Sequence, residues 1–283
     1  MLKALLAIDD DEIAKEAAVE LSVEDLRAEC RARVDVYRLL GGVFVEEPSP
    51  AFLTALRSPR ACQQFAEAGL SFDADFTEAS LDTLVEMLAG EYTTLFANAG
   101  GFPPVESARL TGRYKQDPHF EISEIYRHFG FALSKGRFEV FPDQLGVELM
   151  FVAEMLERAA TALDARNEAE GRRQYRWLER EIKRFWTLHL GRWVRGYSRL
   201  IERAAEHSFY REMARLLGGF AAEEIAAMGL RIEDADQGQV AVPKADVRVE
   251  FNPIEPVCNA CGPAEAAGRG ADSGKMQRLH DLR

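Results

Sequence analysis

Glu91-Tyr92-Thr93-Thr94-Leu95-Phe96-Ala97-Asn98-Ala99-Gly100-Gly101-Phe102-Pro103-Pro104-Val105-Glu106-Ser107 is the stretch on which the organisation of the chain turns. Upstream of it, Leu81, Leu84, Val85, Leu88, Tyr92, Leu95 and Phe96 recur at threes and fours, the spacing of one buried stripe on a helix. Gly100, Gly101, Pro103 and Pro104 end that helix, because glycine opens backbone angles other residues avoid and paired prolines cannot continue a helix. The stretch therefore reads as a junction between two helical blocks. Glu106-Ser107 follows at once, and two readings stand: a carboxylate beside an aromatic helix end suits a polar ligand or a peptide, and Ser107 suits the cap of a following helix.

The wider composition is that of an ordinary globular protein, with 283 residues, 47% apolar and 29% charged. That length predicts one domain with extensions rather than a single small core. The net charge of -12 argues against a nucleic-acid binder, whose footprint is a basic face, and favours a basic partner. Acidity concentrates early: residues 1 to 91 carry 19 acidic against 8 basic side chains. No run of about eighteen apolar residues is present, so no stable membrane insertion is expected. Met1 to Ile8 is apolar but short, and Asp9, Asp10, Asp11 and Glu12 are the wrong flank for a signal peptide, so a cytoplasmic protein is expected. Four cysteines, at 30, 62, 258 and 261, are too scattered for a disulfide framework and fit a reducing compartment.

In chain order, residues 1–21 form an acidic N-terminal extension with little to bury. Ser22 with Asp25 opens a helix whose stripe is Leu26, Cys30, Val34, Tyr37, Leu40 and Phe44. Ser49-Pro50 opens a short helix, another is expected over about 60–68, and one long helix over 77–96 feeds the junction. Asp117-Pro118 starts the next, which Gly130 stops. Phe141-Pro142-Asp143-Gln144-Leu145-Gly146-Val147-Glu148-Leu149 is the second informative stretch: Asp143 is placed to cap a helix, with Glu148 one turn inside. Aromatic helices follow through Trp177, Phe185, Trp186, Trp193 and Tyr197, and a last helix runs from Ser208 to before Gly229. The expected division is 1–21, an all-helical domain over 22–229 hinged near 97–105, and a mostly irregular extension over 230–283. In that extension, Gln239 to Val242 and Val247 to Phe251 alternate like short strands.

Enzyme templates are missing: there is no phosphate-binding glycine loop, no Gly-x-Ser-x-Gly, no His-Glu-x-x-His and no Glu-x-x-His pair. The histidines, at 119, 128, 189, 207 and 280, are scattered, and Glu148 and Glu154, six apart, do not share a helix face. Cys258-Asn-Ala-Cys261 is the one metal-like spacing, since two intervening residues let both thiolates reach one ion. It is half a site: zinc or an iron-sulfur cluster would need two further ligands from Cys30, Cys62, a histidine or a second copy of the chain. A small helical metal-binding or thiol-redox protein is therefore the alternative reading, and a helical adaptor for a folded partner a third.

Three blocks carry a resemblance to the TorD/DmsD family of molybdoenzyme maturation chaperones, relatives of NarJ. Tyr92-Thr-Thr-Leu-Phe96 with Pro104-Val-Glu106-Ser107 is similar to the family's Tyr-x-x-Leu-Phe and Pro-x-Glu-Ser. Pro142-Asp143-Gln144-Leu145 with Glu148-Leu149 is similar to Pro-Asp-His-Leu-x-x-Glu-Leu. His189-Leu190 with Trp193, then Phe209-Tyr210 and Leu216-Leu217, is similar to the last two helices. The series spans about residues 23 to 220, in order.

The resemblance implies an all-α bundle that does no chemistry. It implies binding of the twin-arginine signal peptide and immature catalytic subunit of a molybdopterin-dependent oxidoreductase, of the DMSO reductase family, until its cofactor is inserted. It implies no cofactor of the chaperone's own. Tyr92, Phe96, Pro104, Glu106, Ser107, Asp143, Gln144 and Glu148 are the implied client-binding residues, with Asp143, Glu106 and Tyr92 as a wall for arginines beside an apolar groove. Gln144 stands where the family pattern has histidine and cannot take a positive charge, which weighs against a pH-sensitive or nucleotide-related role there. A hinge at 97–105 would allow a monomer or a domain-swapped dimer.

Overall fold

The computed structural model describes residues 21–98, 100–133, 140–244 and the pair 277–278. The protein is all-α. Helix α1, Val23–Val45, starts where the sequence places it, with Ser22 accepting the Asp25 N–H and donating its hydroxyl to the Asp25 carboxylate. Helices α2 (Pro50–Leu56) and α3 (Pro59–Glu67) both open on Ser-Pro: Ser49 and Ser58 accept the N–H groups of Phe52 and Ala61, and proline fills the first helical position.

The single long helix expected over 77–96 is in fact three pieces. Helix α4 (Ala74–Thr77) ends early, α5 (Leu81–Tyr92) restarts behind Ser80, and Thr93–Ala97 is a π turn. Ser80 accepts the Thr83 N–H, and the Arg57 guanidinium donates to the carbonyls of Thr77 and Ala79, so the break is held from both sides. Stripe periodicity survives a short break, which is why spacing alone runs the pieces together.

The second half comprises α6 (Glu106–Thr111), α7 (Asp117–His128), a two-residue strand β1 (Phe131–Ala132), α8 (Leu145–Ala162), α9 (Glu168–Leu188), a 3-10 turn Leu190–Arg192, α10 (Val194–Ala204) and α11 (Ser208–Ala227). Gly130, at φ 72°, ends the α7 segment in a left-handed conformation. Helix α8 is the axle of the fold: it is buried on nearly every side, α1 lies along one flank and α9 along another, while α10 and α11 pair beside them. One continuous apolar core joins both halves. A buried polar link pins α1, α9 and α11 together: the Tyr37 hydroxyl donates to Glu224 at 2.6 Å and accepts the Trp186 indole N–H at 2.8 Å, and Arg33 pairs with the same Glu224.

The first turn of α8 touches the last turn of α1 backbone to backbone. A Cβ on Gly146 would come within 2.6 Å of the Val45 nitrogen and Cβ. Gly146→Ala is therefore expected to lower unfolding stability by about 1–3 kcal/mol, because backbone cannot step aside as a flexible side chain does. Urea unfolding of the two proteins checks this, and an unchanged midpoint would mean the helices separate freely there.

Residues 230–244 form no strand, contrary to the alternation read at Gln239–Val242. They run as an irregular strap over α6 and α10, and the domain boundary expected at 229/230 falls inside this packing. Arg109 donates to both Asp236 oxygens at 2.7 and 2.9 Å and to the Gln239 carbonyl, in a fully enclosed ion pair. Ala235 N–H donates to the Arg192 carbonyl. Its carbonyls at Ile232, Gly238 and Gln239 are taken by Arg195, Arg203 and Arg109, and its N–H groups at Ala235 and Gly238 by the Arg192 carbonyl and the Asp236 carboxylate, so side chains rather than a ladder hold the strap. Gln277–Arg278 forms strand β2, parallel to β1. Val247 to Phe251, Cys258 and Cys261 lie outside the described residues.

Candidate functional site

The two stretches singled out in the sequence, 36 positions apart at Ser107 and Asp143, meet in space. Val105 and Gln144 form an antiparallel bridge, with Glu106 N–H donating to the Asp143 carbonyl and Leu145 N–H to the Pro104 carbonyl, each at 2.8 Å. The π turn makes this crossing possible. Phe102 N–H folds back onto the Leu95 carbonyl, and Gly101 sits so close that a Cβ would lie 2.7 Å from the Leu95 and Thr94 carbonyl oxygens.

Capping differs from expectation on both sides of the bridge. Gln144, not Asp143, caps α8, its side-chain oxygen accepting the Val147 N–H and its amide donating to the Phe44 carbonyl. Asp143 instead caps α6 from across the crossing, one carboxylate oxygen accepting both the N–H and the hydroxyl of Ser107. Ser107 is thus a recipient of capping rather than a cap, and Val105 stands at the α6 N-cap with no side-chain bond. The other Asp143 oxygen faces His119 Nδ1 on α7 at 3.2 Å.

Around this crossing gathers a cluster of three carboxyl groups from three elements, Glu106 on α6, Asp143 on the bridge and Glu148 on α8, each 0% exposed. Glu106 pairs with His189 Nδ1 at 3.2 Å through one oxygen, while its other oxygen has no protein partner. Glu148 has no protein partner for either oxygen; the Trp193 indole N–H lies beside it but outside hydrogen-bond geometry. Burial is the main force raising the Glu148 carboxyl well above the ordinary carboxylate range, reinforced by the like charges of Glu106 and Asp143. Glu106 is raised as well, chiefly by burial, with His189 pulling the other way. The arrangement can hold a proton on Glu148, so the cluster carries less charge than three carboxyl groups suggest.

The carboxylate wall expected to stand open is therefore closed in. Phe96, Pro104, Glu106, Ser107, Asp143, Gln144 and Glu148 are all buried, and Tyr92 is partly buried, its ring stacked edge-on to Phe96. The crossing itself covers them. His119, His189 and Trp193 complete the cluster, although the sequence reads the histidines as scattered. Spacing held no signal for them, because each belongs to a different helix segment and the contacts are made only by tertiary packing.

Above the cluster, an open groove of about 820 Å³ runs between α7 and α9. Its apolar lining includes Ile125, Phe129, Phe151, Trp177, Phe185 and Leu188, and Glu121, Glu124 and Glu181 stand at its rim with Arg184 and Arg192. Trp177 and Leu188 are 39% and 45% exposed, large apolar surface for a monomer to leave in water. His189 lines the groove with one face and reaches Glu106 with Nδ1, so groove and cluster share a wall. A second groove of about 560 Å³ beside α8 shares His128, Phe129 and Trp177 with the first.

Among the described residues no three His, Cys, Asp or Glu side chains gather as metal ligands, and no helix is long and apolar enough to cross a membrane. Of the cysteines named as partners for Cys258 and Cys261, Cys30 is buried with its thiol pushed up to about 11 by desolvation, and Cys62 is exposed.

Fold and site together define a class: an all-helical protein whose exposed apolar groove lies over a closed acidic cluster. Residues 59–198 match the model of the family described as nitrate reductase delta subunit, a family of maturation chaperones for molybdoenzymes rather than of catalysts. This match supports kinship with the NarJ-related chaperones. No curated protein matches the chain.

Proposed function

We propose that the protein is a maturation chaperone, of the TorD/DmsD kind, for the catalytic subunit of a molybdopterin-dependent oxidoreductase. It holds the apo subunit and its twin-arginine leader in the cytoplasm, delaying export until the cofactor is in place. The observation that carries this reading is the groove between α7 and α9, every lining residue of which falls within the matched stretch 59–198. A twin-arginine leader is an apolar run preceded by two cations. An apolar trough whose rim carries Glu121 and Glu124 on the α7 side, facing Glu181, Arg184 and Arg192, offers complementary chemistry for the cations on its α7 side.

In this reading the eight residues named from the sequence act by position rather than by touch. Asp143, Ser107 and Gln144 fix the crossing, Glu106 holds His189 in the groove wall, and the leader lies outside them. Affinity then comes mainly from apolar burial on Trp177, Phe129 and Leu188, each exposed carboxylate adding about 0.2–1 kcal/mol. Calorimetric titration with synthetic leaders of molybdoenzymes from the same genome tests it. Saturable binding of one leader is expected, weakened severalfold when both arginines are replaced and about tenfold or more in Trp177→Ala, with thermal unfolding little changed because the indole is half in solvent. Binding of a leader that Trp177→Ala leaves untouched would remove the groove from the proposal, and failure of all leaders would remove the leader itself.

A further inference from the structure

A third groove lies away from these two, on the outer face of α5. It holds about 510 Å³ between that face and the turn joining α10 to α11, with Asp75 at one end. Four carboxylates line it, Asp75, Glu86, Glu91 and Glu206, and no lysine or arginine does. Met87, 44% exposed, supplies apolar surface beside them.

Two of the four carboxylates are already employed. Asp75 accepts the N–H and hydroxyl of Ser208, and Glu91 accepts the N–H groups of Glu206 and His207, so together they cap α11 from outside. Glu86 and Glu206 are exposed and have no ion pair or side-chain hydrogen bond. Burial raises the Glu91 carboxyl, the N–H groups of His207 and Glu206 pull it the other way, and the like charges of Glu206 and Asp75 add to the rise.

His207 supplies the independent sign of a ligand. It is 6% exposed and lines the groove. Its Nδ1 accepts the Phe209 N–H at 3.1 Å, and a backbone N–H can only donate, so Nδ1 holds a lone pair and the ring proton sits on Nε2. That Nε2–H is buried and has no acceptor among the protein atoms, so a ligand carbonyl that reached it would satisfy a donor the fold leaves unpaired.

We propose that this groove docks an extended segment of a partner protein bearing an arginine. The guanidinium sits among Glu86, Glu91 and Glu206, a backbone carbonyl of the segment accepts the His207 Nε2 proton, and an apolar neighbour rests on Met87. Arginine suits the site better than lysine, since a planar fork of donors can serve two carboxylates at once. The inference does not depend on the leader occupying the groove between α7 and α9: a partner could engage either groove alone.

The test is an NMR titration of the full chain with acetyl-Leu-Arg-Ala-amide, against acetyl-Leu-Glu-Ala-amide. The expected result is a set of shifts confined to Gly90, Glu91, Glu206 and His207, with the His207 Nε2 proton moving downfield as it gains an acceptor. The double variant Glu86→Gln/Glu206→Gln, which touches only exposed side chains, should weaken the arginine peptide about tenfold. Equal binding of the glutamate peptide, an affinity unchanged in the double variant, shifts elsewhere, or none up to about 5 mM peptide would each overturn the proposal. The leader titration reads Trp177 and its neighbours instead, so failure of one test leaves the other standing.

Discussion

Asp143→Ala is expected to destabilise the protein by about 3–5 kcal/mol, well beyond what loss of an ordinary helix cap costs. The carboxyl group is fully buried and serves three donors or partners at once: the Ser107 N–H, the Ser107 hydroxyl and the His119 imidazole. Alanine leaves the Ser107 N–H and hydroxyl enclosed and unanswered, each at a cost of about 1–3 kcal/mol, and takes its partner from the partly buried His119 ring. The damage is also directional. Ser107 lies in the first turn of α6, so the variant loosens the α6 end of the crossing that joins the two helical stretches. Asp143→Asn keeps one acceptor oxygen and should lose about half as much. Urea unfolding of both variants measures this, and leader binding should be compared only where each is folded. Weakened binding at full stability would return Asp143 to the role of a contact residue; stability lost without any effect on binding by the folded fraction is the outcome the buried geometry requires.

That reversal of role marks where sequence reading stops. Local chemistry was legible: Ser22, Ser49 with Pro50, Asp117-Pro118 and Gly130 punctuate the helices as their backbone preferences dictate. The two stretches that matter were legible as well, because proline and glycine flank both. What they do to one another was not. A carboxylate one residue before a helix reads as that helix's cap, yet Asp143 points across the crossing and Gln144 does the capping, a choice made by the approach of α6 from 36 residues away. The acidic cluster hid for the same reason: Glu106, Asp143 and Glu148 share no helix face, so periodicity could not assemble them. His119, His189 and Trp193 joined only on folding. The strap over 230–244 misled in the opposite sense, since its alternation at Gln239–Val242 suggests a strand, while Arg109 holds it as irregular chain through Asp236 and the Gln239 carbonyl.

The closed cluster and the open groove are two sides of one construction. His189 lies in the groove wall and is oriented by Glu106, which is held at the start of α6 beside the crossing. Burying carboxyl groups beneath an apolar trough is an expensive way to fix one imidazole, and a hydrocarbon core would be cheaper. The arrangement makes sense where shape at the floor has to be specified rather than merely filled, because hydrogen bonds to Glu106, Asp143 and Gln144 set an angle between α6, α7 and α8 that apolar packing leaves softer.

Glu148 is the member of the cluster whose charge the fold resists most, and its removal should show in the pH dependence of stability. The group's folded value is raised, so its favourable contribution is complete below the ordinary carboxylate range and is lost as pH rises through the interval up to the folded value. In that interval the parent should lose about 1.4 kcal/mol per pH unit through this group. Glu148→Gln keeps the shape, removes the proton and is expected to be more stable than the parent by roughly 1–3 kcal/mol at neutral pH, with little difference near pH 4. Other groups bend the absolute profile. His207, lowered chiefly by burial, adds stability as pH rises through the histidine range, and Asp75, whose bonds to Ser208 lower it despite desolvation, contributes stability that is complete above the ordinary aspartate range and is lost as pH falls below it. Both are unchanged in the variant, so the difference between the two profiles reports Glu148 together with the raised Glu106, whose charge it feels. Urea midpoints at about pH 4.5, 6, 7.5 and 9 trace it. A gap that opens with pH and then levels off would give the apparent folded value of the Glu106–Glu148 pair, whereas parallel profiles would mean that Glu148 is charged and satisfied in the folded protein, with the Trp193 indole as its donor.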